Sequence, residues 1–395
     1  QERSVSFSKD GRTLYYAAEH EGSGWDIMKT SIERKEEPYF FNATVLKTEK
    51  VIQTDLDEFQ PDVSPDGKKI AYLEERNTLK VYDLGTGKTT TIVPKGQNFS
   101  YADGDQNFTW SPDSKYLAVE DSRGYYGADG VTVFDVNNPG NGTDVVNSGF
   151  SAGNMQWGLG GKALLFANSK YGKLPLAVQG AREVDIFATF FDKDAYDQFK
   201  LSKDEFDLLK NEKDTSKGKG KDSSLNKKTN EPLKMDFSDL DSRVVRITPG
   251  SINLSSYALS QKGDKLFVLA KFEKGYDLWE IDPRTKEMKS IAKLGAGFAS
   301  MQQSNDGKFL LVQANGKLSK VDESTGKLTP IDINSEMIVN GAAERDYIFH
   351  HAWRQVSKKL YDPNLRGIDW KGYEKIYEKF LPYINNNYDF RELLS

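Results

Sequence analysis

The sequence contains no cysteine. This excludes disulfides, thiolate metal sites and a cysteine nucleophile, and it leaves the cellular compartment open. Histidine is nearly absent too: His20, His350 and His351 are the only three. They form no H-E-x-x-H pattern, and adjacent histidines on a helix point about 100° apart, which suits chelation poorly. No apolar run reaches the roughly 18 residues that a membrane-crossing helix needs. A formal net charge of −5 over 395 residues, with no face-sized basic run, makes nucleic acid and anionic membrane poor partners. The chain opens on polar Gln1-Glu2-Arg3, without an initiator Met or a signal peptide, as expected of a processed product or excised fragment.

What the chain does have is a hydrophobic content of 37% with 12% aromatics, enough for a core, arranged in short alternating runs. Phe59 to Val93 shows the unit. Phe59–Val63, Lys69–Glu74, Thr78–Tyr82 and Thr89–Val93 read as four strands of about five residues. Ser64-Pro65-Asp66-Gly67 and Asp83 to Lys88 are the turns between them, with Pro65 presetting the backbone and Gly67 accepting a positive φ. One such sheet cannot bury both faces, so it requires neighbours.

The turn recurs at Ser8, Ser64, Ser111, Ser260 and Ser304, with a degenerate form at Gly158-Leu159-Gly160-Gly161. Successive spacings are 56, 47, 47, 102 and 44. Third strands recur in the same register at Asp26–Lys29, Leu79–Asp83, Val131–Asp135, Asp185–Phe187, Asp277–Asp282 and Leu318–Asp322. A period near 45 with four strands per unit predicts a mainly β fold, a β-propeller of six visible blades over residues 1–335. The long spacing is an insertion in the fourth blade, 192–236. Phe199, Phe206 and Leu209 are spaced for a short helix, and Asn211 to Glu231 carries a single aliphatic residue, Leu225, as a mobile charged loop would. Val244–Ile247 returns as the closing strand.

From residue 336 the pattern turns helical. Tyr347, Ile348, Ala352, Val356 and Leu360 share a helical face, and Asp362-Pro363 ends that helix. Asp369 opens a second helix, Leu381-Pro382 interrupts it, and Tyr388-Asp389 starts a third. The sequence stops inside this helical region.

Three motifs suggest chemistry and fail on context. Gly85-Thr86-Gly87-Lys88-Thr89 lacks the first glycine of a phosphate loop, since Tyr82 stands there, and strand-like residues follow it. Gly149-Phe150-Ser151-Ala152-Gly153 matches the G-x-S-x-G elbow, but Met155-Gln156-Trp157 begins a strand where a helix is needed. Asp103, Asp105, Glu120 and Asp121 lack the ligand spacing of a calcium loop. No self-sufficient catalytic set, metal site or cofactor site is visible.

The tail carries a resemblance. Tyr347-Ile348-Phe349-His350-His351-Ala352-Trp353-Arg354-Gln355-Val356, Leu360-Tyr361-Asp362-Pro363, Gly367-Ile368-Asp369-Trp370 and Leu381 to Phe390 resemble the start of the catalytic half of tricorn-like peptidases. Arg34-Lys35-Glu36-Glu37-Pro38 and Asp194-Ala195-Tyr196-Asp197 are similar to the same family. The resemblance implies a large serine peptidase related to the tail-specific processing peptidases, with two propellers, a helical segment, a PDZ-like domain and an α/β catalytic core. This chain would be the second propeller, seven-bladed in the family, with its first blade missing upstream, plus the first helices of the next domain. The family's catalytic histidine would lie beyond Ser395, its serine and acidic partner further on, and His350 and His351 do not match. No catalytic residue is therefore carried onto this chain.

The implied role is gating and scaffolding. Peptide substrates would pass innermost strands lined by Gln60, Asp62, Thr109, Gln156 and Gln302, and the remaining domains of the polypeptide would dock. A homo-oligomer and an extracytoplasmic, periplasmic location are further expectations, with a cytoplasmic one the alternative. The rival reading is a stand-alone, TolB-like propeller that binds protein or ligand. A propeller-capped α/β-hydrolase would need a downstream elbow and leaves the tail unexplained.

Overall fold

The computed structural model describes residues 2–20, 24–98, 102–122, 129–174, 183–216, 233–304 and 306–395. The chain divides into two compact units, Gln1–Ile331 and Asp332–Ser395.

In the first unit, the described residues form six four-stranded antiparallel sheets, each built in simple sequence order. Sheet one comprises Glu2–Phe7, Thr13–His20, Gly24–Ile32 and Leu46–Ile52. Sheet two comprises Glu58–Val63, Lys69–Glu74, Thr78–Asp83 and Thr89–Val93. Sheet three is Phe108–Trp110, Tyr116–Asp121, Gly130–Asp135 and Thr143–Val146. Sheet four is Ala152–Gly158, Ala163–Asn168, Asp185–Phe190 and Val244–Arg246. Asn253–Leu259, Leu266–Lys271, Tyr276–Ile281 and Met288–Ala296 make sheet five, and Ala299–Gln303, Phe309–Ala314, Lys317–Asp322 and Leu328–Ile331 make sheet six. This is the bladed propeller architecture read from the repeat.

The repeated turn has one physical cause. Ser8 Oγ donates to Asp10 at 2.6 Å and accepts the Thr13 amide at 2.9 Å, closing the loop between the first two strands. Ser64 with Asp66, Ser111 with Asp113 and Ser304 with Asp306 repeat the pattern at 2.7, 2.7 and 2.8 Å. In sheet five Ser260 finds its carboxylate two residues later, at Asp264. The turn needs a residue at positive φ, supplied by Gly11, Gly67, Gly263 and Gly307, and by Ser114 in sheet three.

Neighbouring sheets pack face to face through apolar layers. Trp25, Ile27, Phe59, Tyr72 and Leu73 belong to a core that runs through the first three sheets. Leu164, Phe166 and Phe187 meet Ala118 and Val133 between sheets three and four. Ile186 and Phe190 meet Leu259 and Val268 between four and five, and Leu310 and Val312 meet Phe267 and Leu269 between five and six. Burying such side chains is worth about 1.5–3 kcal/mol each. The outer faces of the two end sheets differ. Phe7 is 57% exposed in sheet one and Leu311 is 37% exposed in sheet six, beside a cavity of about 430 Å³ lined by Met301, Gln302, Gln313 and Leu318.

The insertion after Phe191 departs from the expected single short helix. It forms two helices, α1 (Lys193–Lys200) and α2 (Lys203–Ser216). Leu201 is extended, at φ −54° and ψ 139°, which breaks the run. Ser202 then restarts it with a capping box, in which Glu205 accepts from the Ser202 amide at 2.9 Å and its hydroxyl at 2.8 Å. The charged loop expected next falls largely on residues 217–232, which lie outside the described residues.

The second unit holds α3 (Gly341–Lys359), α4 (Trp370–Glu378) and α5 (Asn387–Leu394). Asp369 caps α4 by accepting the Gly372 amide at 3.0 Å, and Asn386 caps α5. Trp353 of α3 meets Trp370 at 4.1 Å between ring centroids and receives its indole N–H at the Trp353 carbonyl. No described helix is long and apolar enough to cross a membrane.

Candidate functional site

The first strand of each sheet faces the first strand of the next, and a relay of hydrogen bonds orders them. Ser6 Oγ reaches Asp62 Oδ1 at 3.3 Å and accepts the Val63 amide at 3.0 Å. Trp110 Nε1 donates to the Asp62 carbonyl at 3.1 Å, and Trp157 Nε1 to the Thr109 carbonyl at 3.3 Å. Gln156 Nε2 donates to the Tyr257 carbonyl at 2.7 Å, and Gln303 Nε2 to the Leu259 carbonyl at 3.2 Å. Ser256 Oγ donates to the Met301 carbonyl at 3.1 Å. Each bond crosses between sheets, so the six first strands neighbour one another in sequence order.

The five residues proposed from the sequence all lie on these strands, in different settings. Gln302 is exposed and lines the cavity on sheet six. Asp62, Thr109 and Gln156 are half-buried. Burial pushes the Asp62 carboxyl up to about 6, against the opposing bond from Ser6. Gln60 sits at a bulge with φ +51°, and its amide donates to the Gln106 carbonyl at 2.6 Å, so the loop before sheet three engages it.

That loop builds a polar pocket of about 80 Å³, lined by Asn98, Asp105, Gln106, Asn107, Glu120 and Asp129, with Ser122 beside them. Asn98 Nδ2 donates to Gln106 Oε1 and to the Glu120 carbonyl, both at 3.1 Å. Its Oδ1 accepts the Ser122 amide at 2.8 Å. Asn107 Nδ2 donates to Glu120 Oε2 at 2.6 Å. Burial raises the Glu120 carboxyl to about 7, and Asp129 and Asp105 add like-charge repulsion. Among the described residues no group of three or more His, Asp or Glu has the geometry to hold a metal ion. Sequence reasoning weighed Asp105 and Glu120 only as calcium ligands and set them aside, and it missed Asn98, Gln106 and Asp129. Buried amides at the ends of strands carry no periodic signal, so only tertiary structure reveals them.

The dismissed motifs behave as turns and strands. Asp83 Oδ1 accepts from Gly85 N, Thr86 N and Thr86 Oγ1 at 2.8–3.0 Å, which fills the glycine-rich turn from within. Ser151 is followed directly by the strand Ala152–Gly158 where an elbow requires a helix. His350 Nδ1 lies 2.9 Å from the Asp346 carbonyl, and the His351 ring stacks on Tyr347 at 5.8 Å. Neither histidine meets a serine in a triad arrangement among these contacts.

Fold and site together define the class: a propeller of four-stranded sheets followed by a helical segment. The helical segment is also recognisable by sequence, because residues 342–395 match the Tricorn protease C1 domain. A crystal structure of the tricorn protease is similar over 100% of this chain and 36% of that one, with a TM-score of 0.69 at 13% identity. The chain is tricorn-like in fold throughout and in sequence over its last segment, and it spans about a third of that protein's length. An oligogalacturonate lyase in complex with manganese is similar over 85% of this chain and 78% of that one, with a TM-score of 0.50 at 12% identity. TolB from Acinetobacter baumannii aligns over 83% of this chain and 66% of its own, with a TM-score of 0.44 at 16% identity. No curated protein matches by sequence.

Proposed function

We propose that this chain is the propeller and linker portion of a tricorn-like serine peptidase, which gates access of unfolded peptides and seats the catalytic half. One observation carries the reading. In the helical unit only Phe349 and Phe390 are buried among the described apolar side chains, while Tyr373, Ile376, Phe380, Tyr383 and Tyr388 stand at least 50% exposed. So much apolar and aromatic surface on so few residues marks a surface made to be covered. The match of this segment to the C1 domain supports a covering partner within the same polypeptide. The first-strand relay supports the gating part, since it sets the polar side chains Asp62, Thr109 and Gln156 on neighbouring strands where an extended peptide would pass.

In this reading the chemistry belongs to other domains, and Asp62, Thr109, Gln156 and Gln302 contact passing peptides. Peptides are the substrates, a homo-oligomer is the working assembly, and the site of action is extracytoplasmic. The test is hydrolysis of unstructured fluorogenic peptides by this chain and by the longer gene product. Turnover by the longer protein alone supports the reading. Turnover by this chain, lost in Ser151→Ala, refutes it, and inactivity of both would favour a stand-alone binding propeller.

A further inference from the structure

The insertion in sheet four leaves as one segment and returns as another, and each segment grips a different neighbour. On leaving, Asp192 caps α1 by accepting the Ala195 amide at 2.7 Å. Phe199 then packs against Phe190 of sheet four at 5.1 Å and enters the core with Leu259, Leu266 and Ile281 of sheet five. Arg284, in the last turn of sheet five, lies over the ring of Phe206 in α2 at 3.9 Å and reaches the Gln198 carbonyl.

On returning, the chain turns the other way. The Leu233 amide donates to Asp113 Oδ2 of sheet three at 3.3 Å. Phe237 packs edge-on against Tyr116 of sheet three at 6.2 Å and against Phe191 at 5.6 Å. Arg243, almost wholly buried, holds this segment in shape by donating to Asp236 Oδ2 at 2.8 Å and to the Asp236 carbonyl at 2.9 Å.

We propose that sheet four is a keystone: the two ends of its insertion are autonomous arms, one clamping sheet five and the other sheet three, that resist lateral separation of these sheets. Adjacent sheets elsewhere share a packed face, a connecting loop and individual hydrogen bonds, such as Trp110 to the Asp62 carbonyl and Lys265 to the Glu323 carbonyl. Here each seam gains in addition an arm of the insertion, with its own aromatic contacts. Among the described residues, the hydrogen bonds and ring contacts of the two arms meet only where Tyr196 donates to the Ser242 carbonyl, so their contributions should largely add.

The test is hydrogen exchange resolved by strand, on the whole chain and on two variants. Arg284→Ala removes a cation stacked on an aromatic ring and should speed exchange about fivefold to tenfold in Asn253–Leu259, away from the substituted turn, leaving Tyr116–Asp121 unchanged. Phe237→Leu should do the reverse, speeding exchange in Tyr116–Asp121 by a similar factor and leaving Asn253–Leu259 unchanged. Replacing residues 217–232 with a Gly-Ser linker should change neither. The idea is overturned if either substitution leaves its own seam unchanged, if one substitution loosens both seams equally, or if the linker replacement loosens them.

Discussion

Glu58 offers the sharpest quantitative prediction. Its side chain is fully buried at the start of sheet two, where Oε1 accepts from Thr54 and Oε2 has no hydrogen-bond partner among the described residues. Burial raises its pKa from 4.5 to about 7; the Thr54 bond opposes this, and Asp26, Glu74 and Asp57 add repulsion. The folded state therefore holds this proton more tightly than the unfolded chain. Its stabilising contribution is complete below pH 4.5 and is lost as pH rises to about 7. Each pKa unit corresponds to 1.36 kcal/mol, so the full loss is on the order of 3 kcal/mol. Glu58→Gln keeps the shape and a neutral group, and so removes this part of the pH dependence. Urea denaturation of both proteins at pH 5, 6, 7 and 8 reads the difference. The variant should gain on the native protein by about 2–3 kcal/mol between pH 5 and 8. Parallel pH profiles would refute the reasoning, because they would mean that Glu58 ionises as freely folded as unfolded.

Two smaller effects follow from geometry. Trp157→Phe keeps an aromatic ring in the core but drops the N–H donated to Thr109, and should lower stability by about 1–2 kcal/mol in the same assay. Gly142→Ala should fail to fold or lose several kcal/mol: φ is +68° there, and a Cβ would lie 2.5 Å from Thr132 Cγ2 and 2.7 Å from Phe134 Cε1. Circular dichroism of the soluble fraction would read this.

Much of the fold was legible because local chemistry and tertiary role coincide. The Ser-Asp turn is satisfied within five residues, and the alternation of Thr78–Asp83 reports a sheet face directly, whereas Lys69–Glu74, expected to alternate, buries Ile70 to Leu73 on both faces. The helical tail was legible for the same reason: Asp369 announces α4 through its own cap, and α5, expected from Tyr388-Asp389, starts one residue earlier under the Asn386 cap. The insertion was only half legible. The break at Leu201-Ser202 lies within a run of good helix formers, and the Ser202–Glu205 box decides it. The site was least legible. Gln60 was placed correctly on a first strand, but the bulge that turns it towards Gln106 has no sequence mark. Asn98 and Gln106 lie eight residues apart in the connection before sheet three and both reach the Glu120 carbonyl, a pairing that leaves no periodic mark in the sequence.

The sequential strand order of all six sheets bears on synthesis. No strand of one sheet is borrowed from a distant part of the chain. Each sheet is complete once its own stretch of polypeptide has left the ribosome, and its pairings are short-range and fast to form. Sheets one to three take no strand from anything made later. Sheet four is the exception, because its last strand, Val244–Arg246, follows the insertion. During translation Asp185–Phe190 must therefore wait with an open edge for more than fifty residues. A chaperone that binds exposed strands would meet this protein at that moment.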